Sequence, residues 1–228
     1  MTMPQIAQNL EEVRRCIAAA AHRARRDPAQ VRLVAVSKTV PVELIKEAVV
    51  AGQRLFGENY LQEAQGKIAA LGEAATWHFI GHLQSNKAKG AVGLFDLIHG
   101  VDRLKLAVAL EAAAAQIGKV QDLLIQVNLA GEASKSGAAP AAVPGLLREI
   151  SRLPHLRVMG LMTMPPFLDP EAVRPYFRAL RELRDHLQDS SGLPLPELSM
   201  GMSGDYEVAV EEGATLVRVG TAIFGSRG

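Results

Sequence analysis

The sequence predicts one (β/α)₈ barrel over residues 1–228, with an extra helix ahead of the first strand. Three observations carry that expectation. Eight short apolar runs recur along the chain. Helical patterns lie between most of them, which calls for a parallel sheet, and eight such units close on themselves. No G-x-G-x-x-G turn is present to favour a doubly wound open sheet.

The first segment places Ile6, Leu10, Val13 and Ile17 on one helical face. Val31 to Val36 reads as the first strand. Pro41 then suits a first helical turn, Leu44, Ile45, Ala48 and Val49 share a face, and Gly52 suits the helix end. Further strands are expected at 54–56, 77–80, 94–98, 122–127, 156–161, 197–200 and 215–219. Between them, Leu104, Ala107, Val108 and Ala112 are expected to form one helix face. Val143, Leu146, Leu147 and Ile150 form another, and Phe177, Leu180 and Leu183 a third. No linker divides the chain. The loosest stretch, residues 190–196, reads as a connection before a strand.

Apolar residues make up 48% of 228, enough for one sizeable core without metals or crosslinks. A net charge of +1 gives no electrostatic footprint for nucleic acid. Arg14, Arg15, Arg23, Arg25 and Arg26 read as the solvated face and basic end of the first helix. Cys16 is the single cysteine, so no disulfide can form within the chain, as suits a reducing compartment. Its neighbours Val13, Ile17 and Ala20 make it a small buried apolar side chain. The opening residues lack a signal-peptide h-region, and no apolar stretch approaches a membrane span. A cytoplasmic protein with no membrane partner is expected.

Chemistry in such a barrel sits where the strands end at their C-termini. The residues just after the apolar runs are Ser37-Lys38-Thr39, Gly57 to Tyr60, Gly81 to Gln84, Gly100 to Asp102, Asn128, Met162 to Met164, Gly201 to Asp205, and Gly220-Thr221. Lys38 is the candidate nucleophilic amine: partial desolvation lowers a lysine pKa and lets it attack an aldehyde. Its bland alternative is a solvated surface lysine. Ser203 with Gly220-Thr221 could hold a phosphate, because loops after the last two strands commonly do so. The alternative is that Ser203 and Asp205 only cap a helix closed by Gly213. Arg218 alternates with Val217 and Val219 and so points into the barrel, toward a ligand or a structural counter-ion. His78 and His82 have a metal-binding spacing but lack the H-E-x-x-H context, so no metal site is expected. Glu58, Asp102 and Asp205 form no evident acid–base pair.

Six stretches together resemble the pyridoxal phosphate homeostasis proteins, the YggS/PROSC family. They are Leu33-Val-Ala-Val-Ser-Lys-Thr39, Phe56-Gly-Glu-Asn-Tyr-Leu-Gln-Glu63, Trp77-His-Phe-Ile-Gly-His-Leu-Gln-Ser-Asn-Lys87, Gly160-Leu-Met-Thr-Met164, Leu198-Ser-Met-Gly-Met-Ser203 and Val217-Arg-Val-Gly-Thr-Ala-Ile-Phe-Gly225. The resemblance implies a fold-type III barrel, like the N-terminal domain of alanine racemase, with pyridoxal 5′-phosphate held as a Schiff base on Lys38. It assigns Ser203, Gly220 and Thr221 to the phosphate, Arg218 to the pyridine edge, and Asn59 and His82 to the pocket lining. Gly204, where a larger polar residue is expected, and Ala214-Thr215, where Ser-Thr is common, depart from the family pattern and touch neither the lysine nor the phosphate loop. The implied function is intracellular carriage and homeostasis of the cofactor without robust catalysis. Apoenzymes that use the cofactor would be acceptors, and the chain itself a monomer or weak dimer. The rival is a small amino-acid racemase. Racemisation needs a second acid–base group opposite the lysine. The barrel is expected to use the whole sequence, leaving no second domain to supply one. Of three tyrosines, only Tyr60 falls near the mouth; Tyr176 and Tyr206 read as helical.

Overall fold

A computed structural model describes residues 5–132 and 136–225. Eight parallel strands close into a barrel in sequence order. They are β1 (Arg32–Val36), β2 (Leu55–Glu58), β3 (Thr76–Phe79), β4 (Leu97–Val101), β5 (Gln121–Val127), β6 (Leu156–Thr163), β7 (Glu197–Ser199) and β8 (Leu216–Val219). The ring shuts between β1 and β8, with Arg32 opposite Leu216 and Ala35 opposite Val219. Helix α1 (Gln5–Arg23) precedes β1. The crossover helices are α2 (Val42–Val50), α3 (Leu61–Leu71), α4 (Ala88–Leu94), α5 (Leu104–Gln116), α6 (Val143–Ile150), α7 (Pro170–Ser191) and α8 (Tyr206–Glu211). The short α9 (Thr221–Phe224) follows β8.

Strand alternation sorts the side chains into two cores. Val34, Leu97, Leu124, Met162 and Leu216 fill the barrel interior, with Leu55 and Met159 against them. The larger core lies between the strands and the helices, where Phe56 packs on Trp77 and Phe79 on Phe95. Ile6, Leu10, Val13 and Ile17 bury the expected face of α1.

Three expectations are corrected. The fourth strand is Leu97–Val101, not 94–98. Leu94 closes α4, and Asp96 turns the chain by accepting the Trp77 amide. On α5 the buried positions are Leu106, Ala107, Leu110, Ala113 and Ala114, while Leu104 and Val108 face solvent. That helix is apolar nearly all round, so periodicity could not choose its buried side. Cys16 is only half-buried, and its thiol reaches Glu12 Oε1. The N-terminal arginines do more than face water. Arg26 donates to the carbonyls of Val210 and Ala214, and Arg23 pairs with Glu207 and Glu211, fastening α1 to α8.

Candidate functional site

Lys38 leaves the end of β1 at the barrel mouth and is half-buried. Ser37 turns outward and donates to Glu58 Oε1 at 2.7 Å, and Lys38 stands in the turn that follows, which the Val40 amide closes on the Ser37 carbonyl at 3.0 Å. Thr39, next in line, has φ +62°, a left-handed conformation that costs a β-branched residue.

Arg218 does point inward, and its surroundings are polar. It donates to Ser199 Oγ at 2.6 Å and to the Thr163 carbonyl at 2.9 Å. Among the described residues no carboxylate lies within ion-pair distance of it, so the structural-counter-ion alternative is not what holds it. Burial pushes its pKa down to about 10, partly opposed by the more distant Asp205. Ser199 Oγ lies 2.9 Å from His99 Nδ1, and His99 Nε2 lies 3.0 Å from His78 Nδ1. A guanidinium can only donate. The buried Ser199 hydroxyl therefore places its hydrogen on His99 Nδ1, its remaining acceptor here. His99 then carries its proton on Nε2 and gives that hydrogen bond to His78. The column Arg218–Ser199–His99–His78 thus has one direction.

Both imidazoles are neutral. Burial pushes His78 down to about 3, helped by Arg32, and pushes His99 well below its ordinary value, helped by His78, Arg218 and Arg32. In the unfolded chain both return to about 6.5. As pH falls through 6.5, the unfolded state takes up protons that the native state refuses. Their contribution to stability is therefore complete above pH 6.5 and lost below it. Each histidine should steepen the loss by about 1.4 kcal/mol per pH unit between about pH 5.5 and 4. Urea unfolding of the parent and a His99→Gln variant across that range should differ in slope by one proton. Comparing the two cancels Glu58 and Asp205, whose pKa values burial raises and whose sign is opposite. Equal slopes would mean that native His99 is charged.

Ser203 lies on the β7–α8 loop and accepts the Gly220 amide at 3.3 Å. It bridges the last two loops and does not cap α8. Asp205 does not cap that helix either: it folds back to accept the Met202 amide at 2.6 Å. The first-turn amides of α9, at Thr221 and Ala222, have no carbonyl to reach within their own helix. Ser203, Gly220 and Thr221 thus come together at the mouth, with Arg218 two residues below Gly220. Asn59 follows β2, and its Oδ1 is buried with no hydrogen-bond partner. With Tyr60, His82 and Lys87 it lines a cavity of about 400 Å³ beside the mouth. Gly81 closes that side because the chain packs there without room for a side chain: a Cβ would stand 2.5 Å from the Asn59 carbonyl. His82 is exposed and bonds Ser136 Oγ at 3.0 Å through Nδ1. Tyr60 is 59% exposed.

Two features escaped the sequence reading. His99 was hidden by the misplaced fourth strand, and His78 faces it, not His82. Among the described residues no group of three His, Cys, Asp or Glu could hold a metal. The second is a buried ion cluster behind Lys38. Lys67 Nζ, on α3, donates to Glu58 Oε1 at 2.8 Å, to Glu63 Oε1, and to the Ser37 carbonyl at 2.6 Å. Glu63 Oε1 also accepts the Thr39 amide. Burial pushes the Glu58 carboxyl up, against the hydrogen bonds from Lys67 and Ser37, and its Oε2 has no partner.

A closed barrel with a lysine after β1, a serine–glycine bridge between its last loops and an inward arginine on β8 defines a class. It is the alanine racemase N-terminal domain, whose family model matches residues 5–228. Alanine racemase from Corynebacterium glutamicum shares the fold at TM-score 0.72 and 19% identity, over 99% of this chain and 62% of its own. Much nearer relatives specify the branch. A pyridoxal phosphate homeostasis protein of Aquifex aeolicus is 48% identical over 222 residues, 96% of this chain and 97% of its own. PipY of Synechococcus elongatus, solved with pyridoxal phosphate bound, superposes at TM-score 0.84 with 42% identity, over 97% of this chain and 100% of its own. The chain belongs to the family of pyridoxal phosphate homeostasis proteins.

Proposed function

We propose that this protein binds pyridoxal 5′-phosphate at the barrel mouth through Lys38 and keeps it available to other proteins, without robust catalysis of its own. The observation that carries the reading is the donor-only Arg218. The polar column fixes it below the loops that bear Ser203 and Gly220, on the barrel wall beside β1. The residues fit the cofactor. Lys38 would hold the aldehyde carbon covalently. Ser203 and the Gly220-Thr221 backbone would hold the phosphate. Asn59, whose buried oxygen lacks a partner, and His82 would line the ring side. When bound, the cofactor supplies an electron-withdrawing ring that stabilises a carbanion best when its nitrogen is protonated. Arg218 offers that nitrogen a hydrogen bond and no proton. The column below it carries every hydrogen toward His78, so it lends none either. A site so arranged suits holding over carbanion chemistry. PipY, solved with the cofactor, supports the same ligand here.

A place in the cytoplasm suits this role, with apoenzymes as acceptors. Among the described residues no helix is long and apolar enough to cross a membrane.

Borohydride reduction of the loaded protein followed by peptide mapping tests the attachment. The adduct is expected on Lys38; finding it on Lys87 instead would remove the assignment. Lys135, another lysine on which an adduct would count against Lys38, lies outside the described residues. The same preparation, incubated with alanine and other amino acids in deuterium oxide, should show no Cα exchange near the typical ~1–10³ s⁻¹ of enzymes. Turnover in that range, abolished by Lys38→Ala, would establish the racemase reading, with Tyr60 as its second base.

A further inference from the structure

Lys67 is an ammonium with only 4% of its surface exposed, and nothing in the proposed holding of the cofactor uses it. Its partners are one fully buried carboxylate, one partly buried carboxylate, and a main-chain carbonyl. Burying such a set is expensive, and well-packed apolar side chains usually serve stability as well or better. The arrangement therefore calls for a reason beyond stability, and its contacts suggest one. The cluster grips both peptide groups that flank Lys38. Lys67 Nζ holds the carbonyl of Ser37, the residue before, and Glu63 Oε1 holds the amide of Thr39, the residue after. Ser37 is tied a second time through its hydroxyl to Glu58, the other carboxylate on Lys67. Thr39 is one of two non-glycine residues with positive φ among those described, and for a β-branched side chain that conformation persists only when its surroundings enforce it. Two contacts enforce it: the Val40 amide on the Ser37 carbonyl at 3.0 Å closes the turn, and the Glu63 carboxylate, itself held four residues away on α3 by Lys67, takes the Thr39 amide.

We propose that Lys67, acting with Glu63 and Glu58, is the positioning residue for Lys38: it locks the Ser37–Thr39 backbone in the strained turn that presents the Lys38 amine at the mouth. This rests on the reading of Lys38 as the residue that takes the aldehyde. The cluster lies on the outer, helix-facing side of β1 and β2, so it acts through the backbone and touches neither ring nor phosphate. Its loss should weaken capture of an aldehyde while leaving the recognition of a phosphate in place.

The test compares two probes on the full chain. Pyridoxal 5′-phosphate can bond covalently to Lys38; pyridoxine 5′-phosphate, an alcohol, cannot, and reports the pocket alone. In Lys67→Met, affinity for the aldehyde is expected to fall at least tenfold, and the borohydride-fixed yield on Lys38 to fall with it. Affinity for the alcohol should stay within about twofold of the parent. Glu63→Ala removes the grip on Thr39 and one of the two carboxylates on Lys67, keeps the Lys67–Glu58 pair, and serves if Lys67→Met does not fold; it should show the same split. Adding Thr39→Gly should restore part of the lost capture, because glycine adopts positive φ without enforcement. Unchanged aldehyde affinity in Glu63→Ala would overturn the proposal. So would equal loss of both probes, the mark of a merely structural role. If the parent itself carries no adduct on Lys38, the reading beneath the proposal fails instead, and the two failures are told apart by that control.

Discussion

Lys38→Ala is expected to abolish fixation of the cofactor by borohydride and to weaken retention of pyridoxal 5′-phosphate by roughly 10²–10³-fold, ~3–4 kcal/mol. The reason is chemical, not steric. The half-buried Lys38 is the amine that stands in the turn just past the end of β1. The contacts proposed to remain would be hydrogen bonds, worth ~1 kcal/mol net at the ring and ~1.5–3 kcal/mol at the charged phosphate. They persist in the variant, so a weak, reversible complex should survive and pyridoxine 5′-phosphate should bind as before. Equilibrium dialysis with both ligands separates the covalent from the non-covalent part. A Lys38→Ala protein that retains the aldehyde as tightly as the parent would move the attachment elsewhere. Lys87→Ala, which alters another lysine beside the mouth cavity, should behave as the parent does.

Gly160→Ala should be the most damaging single methyl in the barrel. Gly160 follows an irregularity in the β5–β6 ladder, where pairing steps from Val158 to Gly160 and passes over Met159. It has φ +152° and pairs with Glu197 across β6–β7. A Cβ there would stand 1.9 Å from the Glu197 carbonyl oxygen and 2.7 Å from its carbon. The obstacle is backbone, so no rotamer change relieves it and the two strands must separate. A loss of ~4 kcal/mol or more is expected, a large part of the ~5–15 kcal/mol that holds a domain together. The readout is the midpoint of urea unfolding, or insolubility on expression. Gly66→Ala is the control. It lies within α3 with nothing inside 4 Å of its added methyl, and should gain ~0.5–1 kcal/mol. A Gly160→Ala barrel as stable as the parent would show that β6 and β7 can part without cost.

Lys38 and Arg218 mark how far the sequence could be read. The inward direction of Arg218 was legible because it depends on local alternation: Val217 and Val219 outward put Arg218 inward, whatever the rest of the chain does. The eight units were legible for the same reason. Lys38 was singled out only by its place just after the first apolar run and by the family motif around it. The fourth strand was misplaced because residues 94–98 are as apolar as the true strand, while His99 and Gly100, inside it, look like a turn. The misplacement had a consequence for the site. With His99 outside the strand, nothing suggested that it meets His78, 21 residues earlier, or Ser199, 100 residues later. Such contacts depend on register around the ring, which no local pattern encodes. Lys67 was invisible for a related reason. A lysine on a helix reads as solvated, and only the packing of α3 on β1 and β2 shows that it is not. Ser203 was recognised but left between two roles; the Gly220 amide, supplied by a loop 17 residues away, decides against capping.

The interior column has one further property. A chain of neutral hydroxyl and imidazole groups ordinarily has two hydrogen-bond patterns of similar energy, each the reverse of the other, and can switch between them when a nearby charge changes. Ending on a group that has no lone pair to offer disfavours the reversed pattern, because it would leave the buried Ser199 hydroxyl hydrogen without an acceptor among the groups of the column. The floor of the barrel is thus a frozen row of dipoles with low polarisability along its axis. A negative charge growing above Arg218 would find no compensating reorientation beneath it, as it would in water or in a switchable chain. The floor behaves as an insulator, and charge that develops above it is answered by Arg218 and the groups around the mouth, with no help from the column beneath.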